Sequence, residues 1–140
     1  MEGYYYSRMT NLIDITNLPF EDDIFDAIIC SHVLEHIQND KKAISELFRI
    51  LKPGGFAILQ VPISKILETT FEDPSVILPE ERKKIFGQFD HVRIYGQDFK
   101  TRIEEAGFIL KLFNPIKEKL CDNIEKYALN PDEDLYVAYK

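Results

Sequence analysis

The stretch Phe25–Ile37, FDAIICSHVLEHI, decides the fold of this chain. Its first half is almost wholly apolar and leaves no polar face, a pattern typical of a strand that a parallel sheet buries on both faces. At Ser31 and His32 the pattern turns polar abruptly. Because ligands bind in the crevice outside the carboxyl ends of parallel strands, we expect a ligand site to begin at these two residues.

The residues that follow predict a β-α-β unit. Asn39 or Asp40 can cap a helix whose apolar residues keep helical spacing from position 44 to 51, and Pro53-Gly54-Gly55 ends it. The segment FAILQV, residues 56–61, is a second strand without a polar face. Two such strands joined by a helix lie parallel in one sheet, and we expect their crossover to be right-handed.

The rest of the sequence predicts further helices and strands around this unit. Residues 10–23 indicate a short strand that ends near Asp14, followed by a turn-rich loop. We expect helices at PEERKKIFG (79–87), QDFKTRIEEAG (97–107) and IKEKLCDNIEKYAL (116–129), and strands at FILKLF (108–113) and DLYVAYK (134–140). The fold class is therefore α/β.

Composition and charge argue against several classes of function. The 140 residues carry a formal net charge of −7, whereas nucleic acids and anionic membranes bind basic surfaces. No apolar run has the length of a membrane span or the form of a signal peptide. Cys30 and Cys121 form neither a disulfide framework nor a zinc pair. We expect one cytoplasmic domain that binds neither nucleic acid nor membranes.

The pentapeptide HVLEH, residues 32–36, also matches the inverted zinc-protease signature H-x-x-E-H. On a helix, His32 and His36 would share one face and bind zinc, with Glu35 as the general base of a zinc hydrolase. That site needs a long helix, but a strand precedes the motif and Gln38-Asn39-Asp40 interrupts the pattern after it. We keep zinc hydrolysis as a disfavoured alternative and expect no metal ligands.

Five sequence elements occur in order between residues 11 and 62. They are an acidic residue before an L-P-F turn, F-D before a buried strand, an L-E-H turn, a helix end E-L-x-R-x-L-K-P-G-G, and an apolar strand. A later segment, FDHVRIYGQDFKTRIEEAGF, spans residues 89–108. Together, over residues 11–113, these segments resemble the second half of class I S-adenosylmethionine-dependent methyltransferases, type 11-like.

The resemblance implies an incomplete Rossmann-like methyltransferase fold, with a mostly parallel sheet and a closing antiparallel strand. It implies S-adenosylmethionine as the cofactor and methyl transfer to a small-molecule acceptor that the sequence does not specify. We expect residues 1–140 to form one domain. Its parts would be a β-α-β core (9–62), a substrate or lid-like region (63–96), and the last crossover helix with the closing strands (97–140).

Four residues are implied by the resemblance to contact the cofactor. Asp14 matches the acidic position that contacts the adenine amino group, and Ile15 matches the neighbour whose backbone amide faces the adenine ring. Ser31 and His32 match the turn that borders the methionine part of the cofactor. A plainer role stays open for Asp14 and Thr16, in which both only satisfy backbone groups in a turn.

The resemblance also points to the acceptor side of the site. His91 and Tyr95 fall in the segment that in relatives helps to roof the substrate pocket. No catalytic residue is implied, because methyl transfer to a good nucleophile depends on the alignment of donor and acceptor. Glu35 and His36 are expected to stabilise the turn and the helix entry.

The sequence departs from the family at its front. No two of its six glycines have the G-x-G spacing of the family's cofactor loop. We therefore expect an N-terminally truncated member whose isolated chain is inactive. We also expect the segment Met9–Ile13, or a second chain, to pair with the open edge of the strand DAIIC.

Three versions of the function follow from this departure. In the first version the chain completes its cofactor site by self-association, for example as a dimer. In the second version a partner chain supplies the glycine loop. In the third version the chain is a non-catalytic interaction module with a methyltransferase fold.

Overall fold

A central β-sheet carries the helices of this protein. The computed structural model describes residues 12–119, 125–127 and 130–140. The strands are β1 (Phe25–Ser31), β2 (Leu51–Gln60), β3 (Phe71–Glu72), β4 (Arg93–Ile94), β5 (Ile109–Phe113) and β6 (Leu135–Tyr139). The helices are α1 (Asp40–Ile50), α2 (Pro79–Phe86) and α3 (Phe99–Glu105), with a 3₁₀ turn at Leu34–His36.

The main sheet has the strand order β1-β2-β6-β5. β1 and β2 are parallel, with Cys30 beside Leu59 and Ser31 beside Gln60. β6 lies antiparallel to both β2 and β5, so β1, β2 and β5 run in the same direction. β3 and β4 form a separate antiparallel pair. The predicted α/β class, the parallel β-α-β unit and the antiparallel closing strand are confirmed.

Helix α1 begins where local chemistry predicts it and ends earlier than expected. The Asn39 side chain caps it by accepting a hydrogen bond from the backbone N–H of Lys42 at 3.1 Å. The helix ends at Ile50, and the fully buried Leu51 already belongs to β2. Pro53-Gly54-Gly55 therefore lies inside a register shift of the β1–β2 pairing rather than at the end of the helix.

Two predicted elements differ in the structure. Leu12–Asp14 belongs to no strand, because the backbone N–H of Asn17 donates to the Asp14 carbonyl and closes a turn. The part of that predicted strand before residue 12 lies outside the described residues. Positions 120–124 and 128–129 of the predicted helix 116–129 also lie outside them, and its described positions form turns.

Strand β1 is the edge of the main sheet, and its outer side is exposed. The expectation that both its faces are buried is wrong for the described residues: Cys30 is buried, but Ile29 is 75% exposed. Within the described ranges β1 pairs only with β2, so its outer edge has no partner there. A shallow cavity lies beside this strand, is here called the β1 hollow, and has a volume of about 390 Å³. Its lining includes Ile15, Phe25, Ile28, Ile29, Cys30 and Val33.

A buried polar network holds the 3₁₀ turn against β4. The Arg93 side chain is only 2% exposed, and its guanidinium donates to the backbone carbonyls of Leu34, Ile37 and Gln38. Its Nε donates to a Glu72 carboxylate oxygen at 2.9 Å. One arginine thus satisfies carbonyls that no regular helix or strand pairs.

The carboxylate of Glu46 ties the loop after Asp14 to α1. It accepts hydrogen bonds from the Arg49 guanidinium at 2.8 Å and from the backbone N–H of Leu18 at 2.9 Å. The Arg49 hydrogen bond is the main cause that lowers the pKa of Glu46 from 4.5 to about 2. The loop that carries Asp14 is therefore anchored by a charge-assisted contact.

A Glu46→Gln variant is expected to be about 1–3 kcal/mol less stable than wild type near neutral pH. Because the folded-state pKa lies below the unfolded value, ionised Glu46 stabilises the fold above about pH 4.5. This contribution is lost as the pH falls toward the folded-state value of about 2. Urea unfolding of both proteins across this range should show the two stabilities converging in acid. A constant difference would contradict the prediction.

Candidate functional site

The polar turn after β1 lies beside the end of β2. The backbone N–H of His32 donates to the Gln60 carbonyl at 2.9 Å, so the turn is fixed to the neighbouring strand. His32 has a positive φ of 53°, a conformation that is uncommon for residues with a side chain. Its imidazole is 61% exposed. Strained turns that hold a side chain toward solvent occur preferentially at ligand sites.

The turn at Asp14 and Ile15 borders the same region from the other side. Ile15 lines the β1 hollow together with Cys30 and Val33, which flank Ser31 and His32 in the chain. Of the four predicted cofactor residues, Ile15 thus shares one apolar surface with the two residues that flank the β1 turn, and Asp14 precedes it in the chain. The contacts of these four residues with a cofactor stay predictions.

One carboxylate oxygen of Asp14 already has partners. Its Oδ1 accepts hydrogen bonds from the Thr16 hydroxyl at 2.7 Å and from the Thr16 backbone N–H at 2.8 Å. These two bonds lower the pKa of Asp14, the hydroxyl contributing most. The plainer role in a turn is therefore present, whether or not Asp14 also contacts a cofactor.

A polar cavity of about 410 Å³ opens on the opposite side of His32, at the carboxyl end of β2. His32, Gln60 and Pro62 line it together with residues that precede β6. The Gln60 side-chain amide donates to a Glu133 carboxylate oxygen at 2.9 Å, which joins the two walls. We call this space the acceptor cavity, after the role that we propose for it below. Its other lining residues include Lys65, Gln97, Lys100, Asp132, Asp134 and Tyr136.

His91 and Tyr95, the two predicted pocket residues, have different surroundings. His91 lines a third cavity of about 290 Å³ with Glu35, Pro62 and Arg93. Burial lowers the pKa of His91 below 6.5, and the neighbouring His36 lowers it further. This space is here called the histidine cavity.

Tyr95 lies in the core rather than on a cavity wall. Its side chain is completely buried, and its hydroxyl donates to an Asp40 carboxylate oxygen at 2.7 Å. The ring packs against Phe99 at a centroid distance of 4.6 Å. Burial, followed by the Asp40 charge, raises the pKa of this phenol. We therefore assign Tyr95 a structural role.

Glu35 is a buried residue of the 3₁₀ turn. It is 2% exposed, and neither carboxylate oxygen accepts a hydrogen bond from any described residue. Its charge, after burial itself, raises the pKa of the Cys30 thiol to about 12. This favours the protonated thiol of Cys30 at neutral pH, and a thiol is a weaker nucleophile than a thiolate.

The described residues fit the adenosine half of S-adenosylmethionine. The β1 hollow offers an apolar surface for a flat ring, and Ile15, the neighbour of Asp14 in the chain, lies in its wall. The amino-acid half of the cofactor has no such match in the sequence, because no glycine pair has G-x-G spacing.

No helix in the described ranges is both long and apolar enough to cross a membrane.

The sheet order and strand directions define a Rossmann-like α/β protein, a class in which ligands bind at the carboxyl ends of the strands. The methyltransferase domain family matches residues 7–59. The ubiquinone/menaquinone biosynthesis C-methyltransferase of Brucella canis is 34% identical over 107 residues. That match covers 65% of this chain and 39% of the relative. These matches confirm the predicted resemblance to class I S-adenosylmethionine-dependent methyltransferases.

Solved structures of methyltransferases share the fold. Phosphoethanolamine N-methyltransferase 2 of Haemonchus contortus, in complex with S-adenosyl-L-methionine, has a TM-score of 0.54 at 17% identity and covers 91% of this chain and 36% of that one. A possible histamine N-methyltransferase of Thermotoga maritima has a TM-score of 0.53 at 19% identity. That match covers 90% of the present chain and 60% of the Thermotoga protein. The present chain thus spans about two fifths of its curated relative and a third to three fifths of these structures.

Proposed function

We propose that this chain takes part in methyl transfer from S-adenosylmethionine to a small-molecule acceptor. The observation that carries the proposal is the position of the Ser31–His32 turn. Cys30 and Val33 on its two sides line the β1 hollow, whereas His32 lines the acceptor cavity. Donor and acceptor placed in these two spaces would meet at the turn.

The chain's own residues would bind and align rather than exchange protons. S-adenosylmethionine, when bound, supplies a methyl group activated by a positively charged sulfur. Ile15 would pack on the adenine ring, and Asp14 would accept a hydrogen bond from its amino group. The acceptor atom would bond to the methyl carbon as the carbon–sulfur electron pair returns to sulfur, and a proton displaced from the acceptor would leave to water. Alignment of the two reactants is the main requirement for such a step.

The acceptor is a small molecule of undetermined identity. The Brucella relative is named for C-methylation in quinone biosynthesis, so a demethylated quinone precursor is the first acceptor to test. The lining of the acceptor cavity, with Gln60, Lys65 and Asp132, supports an acceptor that has hydrogen-bonding groups.

We further propose that a second polypeptide segment covers the open edge of β1 and completes the cofactor site. It belongs either to another copy of this chain or to a partner chain that carries a glycine-rich loop. Support comes from the exposed Ile29 and from the unpaired outer edge of β1 in the described part of the chain. An apolar edge of this kind invites strand pairing.

Calorimetric titration with S-adenosylmethionine, run beside a light-scattering mass, tests the proposal. We expect saturable binding by the associated form, and about 10- to 100-fold weaker binding by Asp14→Ala, since one hydrogen bond to a charged group is lost. Asp73→Ala is a matched control, because Asp73 Oδ1 accepts the same pair of turn hydrogen bonds from Ser75.

If the two aspartate variants change S-adenosylmethionine binding equally, Asp14 only stabilises its turn and does not contact the cofactor. No binding under any condition would favour the alternative of a non-catalytic interaction module, which the missing G-x-G spacing supports.

A further inference from the structure

Glu35, His36 and His91 form a compact group of metal-ligating side chains. One ligand atom from each residue lies within 4.8 Å of the others. The two imidazole rings meet edge to face, with centroids 4.8 Å apart. Glu35 and His36 belong to the 3₁₀ turn and His91 precedes β4, so residues far apart in sequence converge on one point.

The Glu35 carboxylate is the strongest sign that this group binds a cation. It is buried, and its two oxygens accept no hydrogen bond in the described part of the chain. A buried carboxylate without a partner is costly unless an opposite charge compensates it. Arg93 lines the same cavity, but its hydrogen bonds go to Glu72 and to backbone carbonyls.

His32 does not fill this role. Its Nδ1 lies 3.3 Å from Glu35 Oε1, yet that oxygen accepts no hydrogen bond, and the His32 ring is mostly exposed.

His36 is oriented as metal-bound histidines usually are. Its Nδ1 lies 3.4 Å from the backbone carbonyl of Asp90 and 3.4 Å from the Asp90 carboxylate. Partners of this kind hold one ring nitrogen and leave Nε2 for a metal.

We propose that Glu35, His36 and His91 bind a divalent transition-metal ion, with Zn²⁺ the best match. Two imidazoles and one carboxylate suit zinc, and a three-residue site leaves a coordination position for water or for an oxygen of a ligand. Bonds of about 2.1 Å hold tetrahedral ligand atoms about 3.4 Å apart. The side chains would therefore move closer by roughly 1–1.5 Å on binding.

This site differs from the zinc signature in the pentapeptide 32–36. Its third ligand is His91, not His32, and it lies on the histidine cavity. The proposal does not depend on methyl transfer, and its test contains no S-adenosylmethionine.

Titration of the untagged protein with ZnCl₂ and CoCl₂ tests the site. We expect one ion per chain by calorimetry and the visible absorption of tetrahedral Co²⁺, without the thiolate-to-cobalt band that a cysteine ligand would produce. In NMR spectra of the imidazole nitrogens, Zn²⁺ should shift the signals of His36 and His91 by direct coordination and those of His32, 3.3 Å from Glu35 Oε1, by much less. No saturable binding, or shifts at His32 in place of His91, would overturn the proposal.

Variants distinguish the proposed ligand set, which includes His91, from the pentapeptide set, which has His32 in its place. We expect His91→Gln and Glu35→Gln to weaken Zn²⁺ binding at least about 100-fold, and Asp90→Asn about 10- to 100-fold through loss of the His36 partner. His32→Gln is the matched control and should keep wild-type affinity. Loss of binding in His32→Gln with retention in His91→Gln would refute the site. The NMR measurement needs no variant, so the proposal stays testable if His91→Gln fails to fold.

Discussion

The Arg93→Met variant is expected to lose about 3–5 kcal/mol of unfolding free energy, the typical effect of removing one member of a buried charged network. Arg93 is 2% exposed and donates hydrogen bonds to three backbone carbonyls around the 3₁₀ turn. Methionine fills a similar volume but donates nothing, so the three carbonyls would lose the guanidinium donor. The Leu34 carbonyl would keep the Ile37 backbone N–H and the Tyr95 hydroxyl as donors. Glu72 would keep only Arg102 as a cationic partner among the described residues.

Lys41→Met is the matched control for Arg93→Met. Lys41 also pairs with a carboxylate, that of Glu105 at 2.8 Å, but both side chains are exposed. Its loss is expected to change stability by at most about 1 kcal/mol. Urea unfolding of the three proteins measures both effects. If Arg93→Met loses as little unfolding free energy as Lys41→Met, water replaces the guanidinium as the donor to the carbonyls of the 3₁₀ turn, and the prediction is wrong.

The Ile29→Lys variant is expected to abolish association at the β1 edge and, with it, S-adenosylmethionine binding. Ile29 lies within the edge strand and is 75% exposed. Burial of a lysine charge there against a second strand is unfavourable, and natural edge strands use lysine to prevent pairing. If this edge completes the cofactor site, the variant should show no S-adenosylmethionine binding at all rather than weakened binding.

Ile109→Lys is the control for Ile29→Lys. Ile109 lies on β5, the opposite edge strand of the same sheet, and is 66% exposed. Light scattering and calorimetric titration should show wild-type association and binding for this variant. Equal behaviour of the two lysine variants would refute the β1 edge as the contact surface.

Local elements of the fold could be predicted because short-range chemistry determines them. The Asn39 cap begins α1, and Gly87, at a positive φ of 90°, ends α2. The end of α1 was misplaced because Pro53-Gly54-Gly55 looks like a helix stop. Leu51 instead leaves the helix early and enters the buried sheet. Tertiary burial overrides the local signal there.

The acceptor cavity and the histidine cluster could not be predicted, because both depend on distant residues. Glu133 and Gln60 meet only after β6 has entered the sheet between β2 and β5. The spacing of HVLEH suggested that His32 and His36 share a helix face. A 3₁₀ turn has three residues per turn, so that α-helical spacing does not hold, and His91 takes the place beside His36.

The position of β6 limits how early during synthesis the sheet can close. β5 pairs only with β6 in the described residues, and β6 also joins it to β2. The ribosome makes β5 well before residues 135–139 exist, so β5 has to wait in the nascent chain without a strand partner. Long-range pairing of this kind is slow and leaves apolar segments open to aggregation.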